Sequence, residues 1–271
     1  MQGPPGTGKT YVGSHVIARL VREHGWKVGV VAQSHAVIEH MLDRVVAAGV
    51  PAGQVGKARK AGAEGDVSFT AFPKNGLAGF AEEHAEGGFV VGGTAWDFSH
   101  VGRVPRRSLD LLVIDEAGQF SLASTIAVAA ASDRLLLLGD PGSLPQVSQG
   151  IHPEPVDASA LGWVMDGADV LPPAYGFFLD RTWRMRPEIA EPVSRLSYDG
   201  ELASRPSAAL RGSRASPPVC TPYRCATTAT PPSRRKRRRW WSRSCATCSA
   251  ARGPTSKRTA RCRRGRWSSP T

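Results

Sequence analysis

Gly3, Gly6 and Gly8, separated by Pro4-Pro5 and Thr7, run directly into Lys9 and Thr10, so residues 3–10 spell G-x-x-x-x-G-K-[ST]. A curved chain of anionic oxygens needs many N–H donors brought close with no side chain in the way. Three glycines supply both the backbone angles and the close approach. Lys9 is placed to reach the outer phosphates, and the Thr10 hydroxyl is a hard oxygen donor suited to Mg²⁺. The chemistry implied is capture of a nucleoside triphosphate. A second chemical pair follows an apolar run: Leu111-Leu112-Val113-Ile114 ends in Asp115 and Glu116. Asp115 can hold Mg²⁺ through water while Glu116 polarises the attacking water, because phosphoryl transfer depends on positioning and charge stabilisation more than on covalent help.

These groups need elements to carry them. A phosphate loop must open a helix, whose N-terminus adds partial positive charge. Val12, Val16, Ile17, Leu20 and Val21 recur at helical spacing, with Gly25 as a stop. Such a loop also hangs from the carboxyl end of a buried strand. Only Met1 and Gln2 precede it here, so an incomplete first strand and an artificial start are expected. Residues 27–32 read as a short buried strand. Ser34 or His35 then caps a second helix with Val37, Met41, Leu42, Val45 and Val46 on one face. Residues 89–94, 111–116 and 134–140 read as further strands, residues 117–131 as a helix, and residues 187–196 as a helix opened by Pro187. Residues 51–88 lack clear periodicity and are expected to be a surface insertion. Strand, polar turn and helix in alternation imply a parallel sheet whose carboxyl ends form the site.

Whole-chain charge misleads. The 271 residues carry a net charge of +12, yet residues 211–271 hold 17 of the 35 Lys and Arg and no Asp or Glu. Residues 1–210 therefore carry 18 basic against 23 acidic residues, a net charge of −5. All five cysteines (Cys220, Cys225, Cys245, Cys248 and Cys262) lie in the same last stretch, which excludes a disulfide framework from the first 210 residues. No apolar run reaches the ~18 residues of a membrane span, and a cytoplasmic location is expected.

Taken in order, Gly3 to Thr10, Asp115-Glu116-Ala117-Gly118-Gln119, Gly139-Asp140-Pro141 with Leu144-Pro145-Gln146, and Thr182-Trp183-Arg184-Met185 with Pro187 resemble motifs I to IV of superfamily 1 DNA/RNA helicases. The likeness covers about residues 2 to 210. It is strongest to the AAA-domain branch that bacteria also carry fused behind a RecB-like nuclease. The resemblance implies an α/β P-loop NTPase fold: a RecA-like parallel sheet flanked by helices, incomplete, with a disordered basic C-terminal tail. A first RecA-like domain over residues 1–175 and the start of a second over 176–210 are expected. It implies ATP and Mg²⁺ as cofactors, with Gln2, Gly3, Pro4, Pro5, Gly6, Thr7, Gly8, Lys9 and Thr10 around the nucleotide. Lys9, Asp115, Glu116 and Arg184 are the expected catalytic groups, Arg184 approaching the γ-phosphate, and Thr10 and Asp115 the metal ligands. Ser34, His35 and Thr94 match positions that touch single-stranded DNA or RNA, although helix capping explains Ser34 and His35 equally well. The chain departs from the pattern at Gly142 and Ser143, where glutamine is usual, and at Arg186, where histidine is usual. Motifs V and VI are not found. An upstream nuclease domain is a possible companion in a longer parent.

Residues beyond about 211 follow no globular pattern. Their peak, Arg234-Arg235-Lys236-Arg237-Arg238-Arg239-Trp240-Trp241, is rich in residues that GC-rich DNA encodes out of frame. Shifting the frame by one base with GC-favoured codons turns residues 234–249 into an acidic amphipathic helix. A frameshift near 211–213 is therefore expected, with a genuine basic nucleic-acid-binding tail as the alternative. A P-loop ATPase of a non-helicase kind is the other alternative. Of the truncated chain itself, little or no unwinding is expected.

Overall fold

The helical pattern that follows the glycine-rich loop becomes α1 (Lys9–His24) in the computed structural model, which describes residues 1–59, 66–143, 150 and 152–209. Gly25 ends the helix at φ 64°, a left-handed angle that a side chain resists, and its N–H returns to the Val21 carbonyl at 3.0 Å. Ile17, Ala18 and Val21 face the core. Val16, expected on that face, is 40% exposed; the apolar stripe is narrower than the run of valines suggests. β1 (Lys27–Val31) follows, then α2 (His35–Ala47), which buries Ile38, Met41, Leu42 and Val45.

Residues 51–88 are not a surface insertion. They supply β2 (Val55–Ala58), β3 (Thr70–Phe72) and α3 (Leu77–Glu83), and the two strands extend the sheet. Their four- and three-residue lengths are too short to show a period. β2 also contains Gly56, where a Cβ would meet Phe72 and Phe80 at 2.7 and 2.8 Å, and Lys57, a charge buried against Glu39 at 2.9 Å.

β4 (Phe89–Gly93), α4 (Ala95–Ser99) and β5 (Leu111–Asp115) come next. α5 is shorter than expected, Leu122–Ala129, because residues 117–121 form a turn and Ser121 caps the helix by accepting the Ser124 N–H. β6 (Leu135–Leu138) and α6 (Ala160–Met165) complete the main body. The sheet runs β3-β2-β4-β1-β5-β6, and every pairing is parallel. Side chains alternate across it. Val28, Val30, Val90 and Val113 meet α1 and α2 on one face, whereas Val31, Val91, Leu112 and Ile114 meet Phe98, Phe120, Val128 and Leu161 on the other. Both faces are covered, which is why the central strands read as unbroken apolar runs.

At the β6 border, Met1 and Gln2 take a strand position. The Met1 ammonium donates to Leu137 O at 2.7 Å, and Gln2 forms parallel bridges to both Gly139 and Phe178. Beyond lies a small parallel pair, β7 (Arg181–Thr182) and β8 (Ala203–Ser204), spanned by α7 (Pro187–Ser197) and followed by α8 (Pro206–Ala209). The described residues belong to one compact unit, Met1–Arg214. The basic stretch and its cysteines, and the Leu144-Pro145-Gln146 triplet, lie outside the described residues. Among those described, no helix is long and apolar enough to cross a membrane.

The two α1 neighbours give a direct check on packing. Ile17→Ala should lower unfolding stability by about 2–5 kcal/mol, the usual range for emptying a buried site, whereas Val16→Ala should stay within about 0.5 kcal/mol. Urea denaturation midpoints measure both.

Candidate active site

Residues 3–10 wrap into a loop held by its own backbone and by its neighbours. Gly3 N–H donates to Gly139 O at 2.9 Å, and Thr7, buried, donates through N–H and hydroxyl to Pro4 O at 3.2 and 2.7 Å. Gly6 and Gly8 sit at φ 79° and 93°, left-handed angles that account for glycine at these two places. Gly8 is the N-cap of α1 and brings no side chain to cap it. By contrast Ser34, Ser121 and Ser159 each accept a first-turn N–H of the helix they open. The first turn of α1 therefore has no side-chain cap on its amides, and the helix dipole lies behind them. Lys9 and Thr10 stand on that turn, and the Lys9 ammonium donates to Gly3 O at 2.7 Å.

Asp115 ends β5 and is buried, with Oδ1 accepting the Glu116 N–H at 2.9 Å. Burial pushes its carboxyl up from 3.8 to about 6; the Glu116 N–H opposes the shift, the Glu116 charge adds to it, and Lys9 opposes it. Glu116 itself adopts φ 55°, a left-handed angle unusual for a side-chain-bearing residue. The turn cannot relax freely. Ala117 N–H is bound to Leu138 O at 2.8 Å, and a Cβ on Gly118 would collide with the Asp140 carbonyl. The end of β5 is thus locked to the end of β6.

The third part arrives from β7. Thr182 is fully buried; its hydroxyl donates to Pro5 O at 3.0 Å and accepts the Arg184 and Met185 N–H groups at 3.2 and 3.3 Å. Trp183 N–H donates to Gly6 O at 2.9 Å, and a Cβ on Gly6 would collide with Arg184 Cβ. Arg184 is exposed and lies against the glycine-rich loop. The Arg184 segment therefore touches the glycine-rich loop, and Lys9 of that loop lies within electrostatic reach of Asp115.

The other expected residues divide. Gln2 is fully buried and its carboxamide is engaged elsewhere, donating to Asp169 O at 2.9 Å and accepting the Leu171 N–H at 2.7 Å. It pins the chain rather than facing a nucleotide. Ser34 caps α2 through the Val37 N–H at 3.3 Å, and His35 is exposed on the first turn. Thr94 forms a capping box with Asp97, its hydroxyl donating to Asp97 Oδ2 at 2.7 Å. Because Val31 pairs with Gly93, these three residues follow neighbouring strands at one edge of the sheet. Among the described residues, no cluster of three or more His, Cys, Asp or Glu forms a metal site.

A protein-family profile described as an AAA domain matches residues 1–156. The chain belongs to the AAA domain family. Among solved structures this AAA domain is similar to arterivirus nonstructural protein 10 (helicase) in complex with DNA, at 16% identity and a TM-score of 0.49, covering 76% of this chain and 41% of that one. A second structure of the same viral protein gives 16% identity and a TM-score of 0.47, covering 75% and 40%. The chain spans about two fifths of the length of these matched structures. No curated protein matches it.

Two residues at the site of this AAA domain were not singled out from sequence. Thr182 had a signal, as the first residue of the Thr182-Trp183-Arg184-Met185 run. Gly118, which lets the two strand ends meet, had one only as part of the run after Asp115.

Asp115 sets a pH dependence with a definite sign. Its folded carboxyl binds a proton more tightly than the unfolded one, so its contribution to stability is full below about pH 3.8 and is lost as pH rises through about 6. At neutral pH the buried charge costs roughly 2–3 kcal/mol in the nucleotide-free chain. Asp115→Asn should therefore raise the melting temperature at pH 7.5, and the gain should shrink between pH 6 and pH 4. Thermal unfolding across that range checks it.

Proposed function

We propose that this AAA domain is the ATP-binding and ATP-hydrolysing motor portion of a superfamily 1 DNA helicase. The observation that carries the proposal is the seating of Thr182, Trp183 and Arg184 directly on Pro5 and Gly6. An arginine docked on a phosphate loop, with two acids at the end of β5, one strand beyond β6, is an arrangement suited to ATP cleavage.

In this reading the first-turn amides of α1 and the Lys9 ammonium hold the β- and γ-phosphates. Mg²⁺ fits the donor set, since the Thr10 hydroxyl and the Asp115 carboxylate are hard oxygens and the buried Asp115 charge is only partly balanced by Lys9. When bound, the ion neutralises charge on the phosphate oxygens. Glu116 orients a water and takes its proton as the water oxygen bonds to the γ-phosphorus and the bond to the ADP oxygen breaks. Lys9 and Arg184 stabilise the negative charge that develops.

Residues 176–209 are read as the opening of a second RecA-like domain, so that nucleotide turnover shifts Arg184 and the helix behind it relative to the sheet. Ser34, His35 and Thr94 are the proposed contacts for a single strand held by its phosphates, where a capping hydroxyl can share its oxygen with a backbone phosphate. The intact parent uses this cycle to move along DNA, with RNA as the other polymer of the class. Unwinding belongs to that parent.

Calorimetric titration of the chain with ATP and Mg²⁺ tests the nucleotide part. Lys9→Ala should weaken binding by about 10–100-fold, the worth of a charge-assisted hydrogen bond to phosphate. Arg184→Ala should leave affinity within a few-fold but slow single-turnover cleavage by about 1,000-fold or more. Single-stranded DNA should accelerate ATP turnover by the wild-type chain; turnover indifferent to DNA would instead favour a P-loop ATPase of another kind.

A further inference from the structure

The segment that carries Arg184 is fastened at two ends. Its front is the β7 contact with Pro5 and Gly6 already described. Its rear is Tyr198, the C-cap of α7, whose hydroxyl donates to Asp140 Oδ2 at 2.7 Å. Both partners are buried, at 4% and 3% exposure. Asp140 Oδ1 accepts the Gly142 N–H at 3.2 Å, so the carboxylate is itself oriented by the turn that follows β6. Asp140 adjoins Gly139, whose carbonyl holds Gly3 of the phosphate loop, and its own carbonyl packs on Gly118 beside Asp115 and Glu116.

Between the two anchors the segment is stiff. Ser204 Oγ donates to Met185 O at 2.7 Å, Arg205 N–H to Thr182 O at 2.9 Å, and Leu202 N–H to Ser194 Oγ at 2.9 Å. β7, α7 and β8 therefore move as one piece. A shift at Tyr198 is transmitted to Arg184 instead of being absorbed along the way.

We infer that Tyr198 is a positioning residue, which through its hydrogen bond to Asp140 sets where Arg184 rests on the phosphate loop and links the turn after β6 to α7. Burial and the neighbouring Asp140 push the Tyr198 hydroxyl well above its ordinary range, so it stays a donor at every pH the folded chain meets. Asp140 lies where β5, β6 and the phosphate loop touch. A change in that region on nucleotide turnover is thus felt at the far end of α7 and returned to Arg184. The consequence for catalysis rests on the function proposed above; the mechanical link does not, and is measurable without nucleotide.

Hydrogen–deuterium exchange of the full chain reads it. Tyr198→Phe keeps the ring, including its contact with Phe178 at 6.0 Å between centroids, and removes only the hydroxyl. Exchange of the Trp183, Arg184 and Met185 amides should rise about tenfold, the effect of losing one hydrogen bond to a charged group, while β1, β4 and β5 keep wild-type rates. Asp140→Asn should give a smaller rise at the same amides, and the double variant no more than Tyr198→Phe alone. Unchanged exchange at 183–185 would overturn the link. Equal acceleration in β1 and β5 would overturn it too, by reducing Tyr198 to a general stabilising contact. If the link holds but ATP titration fails, the nucleotide reading is wrong and the coupling stands.

Discussion

Parallel pairing sends every strand of this sheet out in the same direction, and that constraint gathers the chemistry. The glycine-rich loop, the Asp115–Glu116 turn, the Asp140 turn and the caps at Ser34 and Thr94 all follow strand ends at one edge. Helices must return across both faces to start the next strand, so the glycine-rich loop and the turns after β1, β4 and β5 each lead into a helix N-terminus with amides to satisfy. Serine and threonine meet that need at Ser34, Ser121 and Ser159 and in the Thr94 capping box. α1 is opened by Gly8 and α3 by Gly76, neither of which brings a side chain to cap the first turn.

Backbone contact, more than side-chain pairing, holds the parts of the site in register. Gly3 to Gly139, Ala117 to Leu138, Trp183 to Gly6 and the close approach of Gly118 to Asp140 all involve main-chain atoms. Such contacts tolerate little change of shape, because neither partner can swing away as a lysine or a glutamate can. Exposed ion pairs such as Arg19–Glu23 and Arg195–Glu191, each one helical turn apart, add less, because water and salt screen them.

The glycine-rich loop and the two acids were legible in the sequence because polyphosphate chemistry restricts residue type at fixed spacing. β1, β4 and β5 were legible because burial on both faces demands an apolar run, and β6 because it is four leucines in a row, although only Leu138 of them is fully buried. β2 and β3 were not, since a glycine making room for two phenylalanines and a buried lysine break any pattern in strands this short. α4 and α6, at five and six residues, are too brief to show helical periodicity. The family resemblance put Gln2 around the nucleotide, whereas its hydrogen-bond partners lie 167 and 169 residues away. The same holds for Thr182 and Tyr198, whose bonds to Pro5 and Asp140 span 177 and 58 residues. Long-range hydrogen bonds leave no local trace.

Glu116 keeps a left-handed backbone only because Ala117 and Gly118 are clamped against β6. Such a conformation costs about 1–3 kcal/mol wherever it occurs, and it is released as soon as the clamp loosens. Warming or dilute denaturant would then let this one peptide unit flip to an ordinary angle and carry its carboxylate out of line while the sheet is still intact. Local release of this turn comes before melting in a molecule built this way, at a temperature lower than the one at which the sheet unfolds.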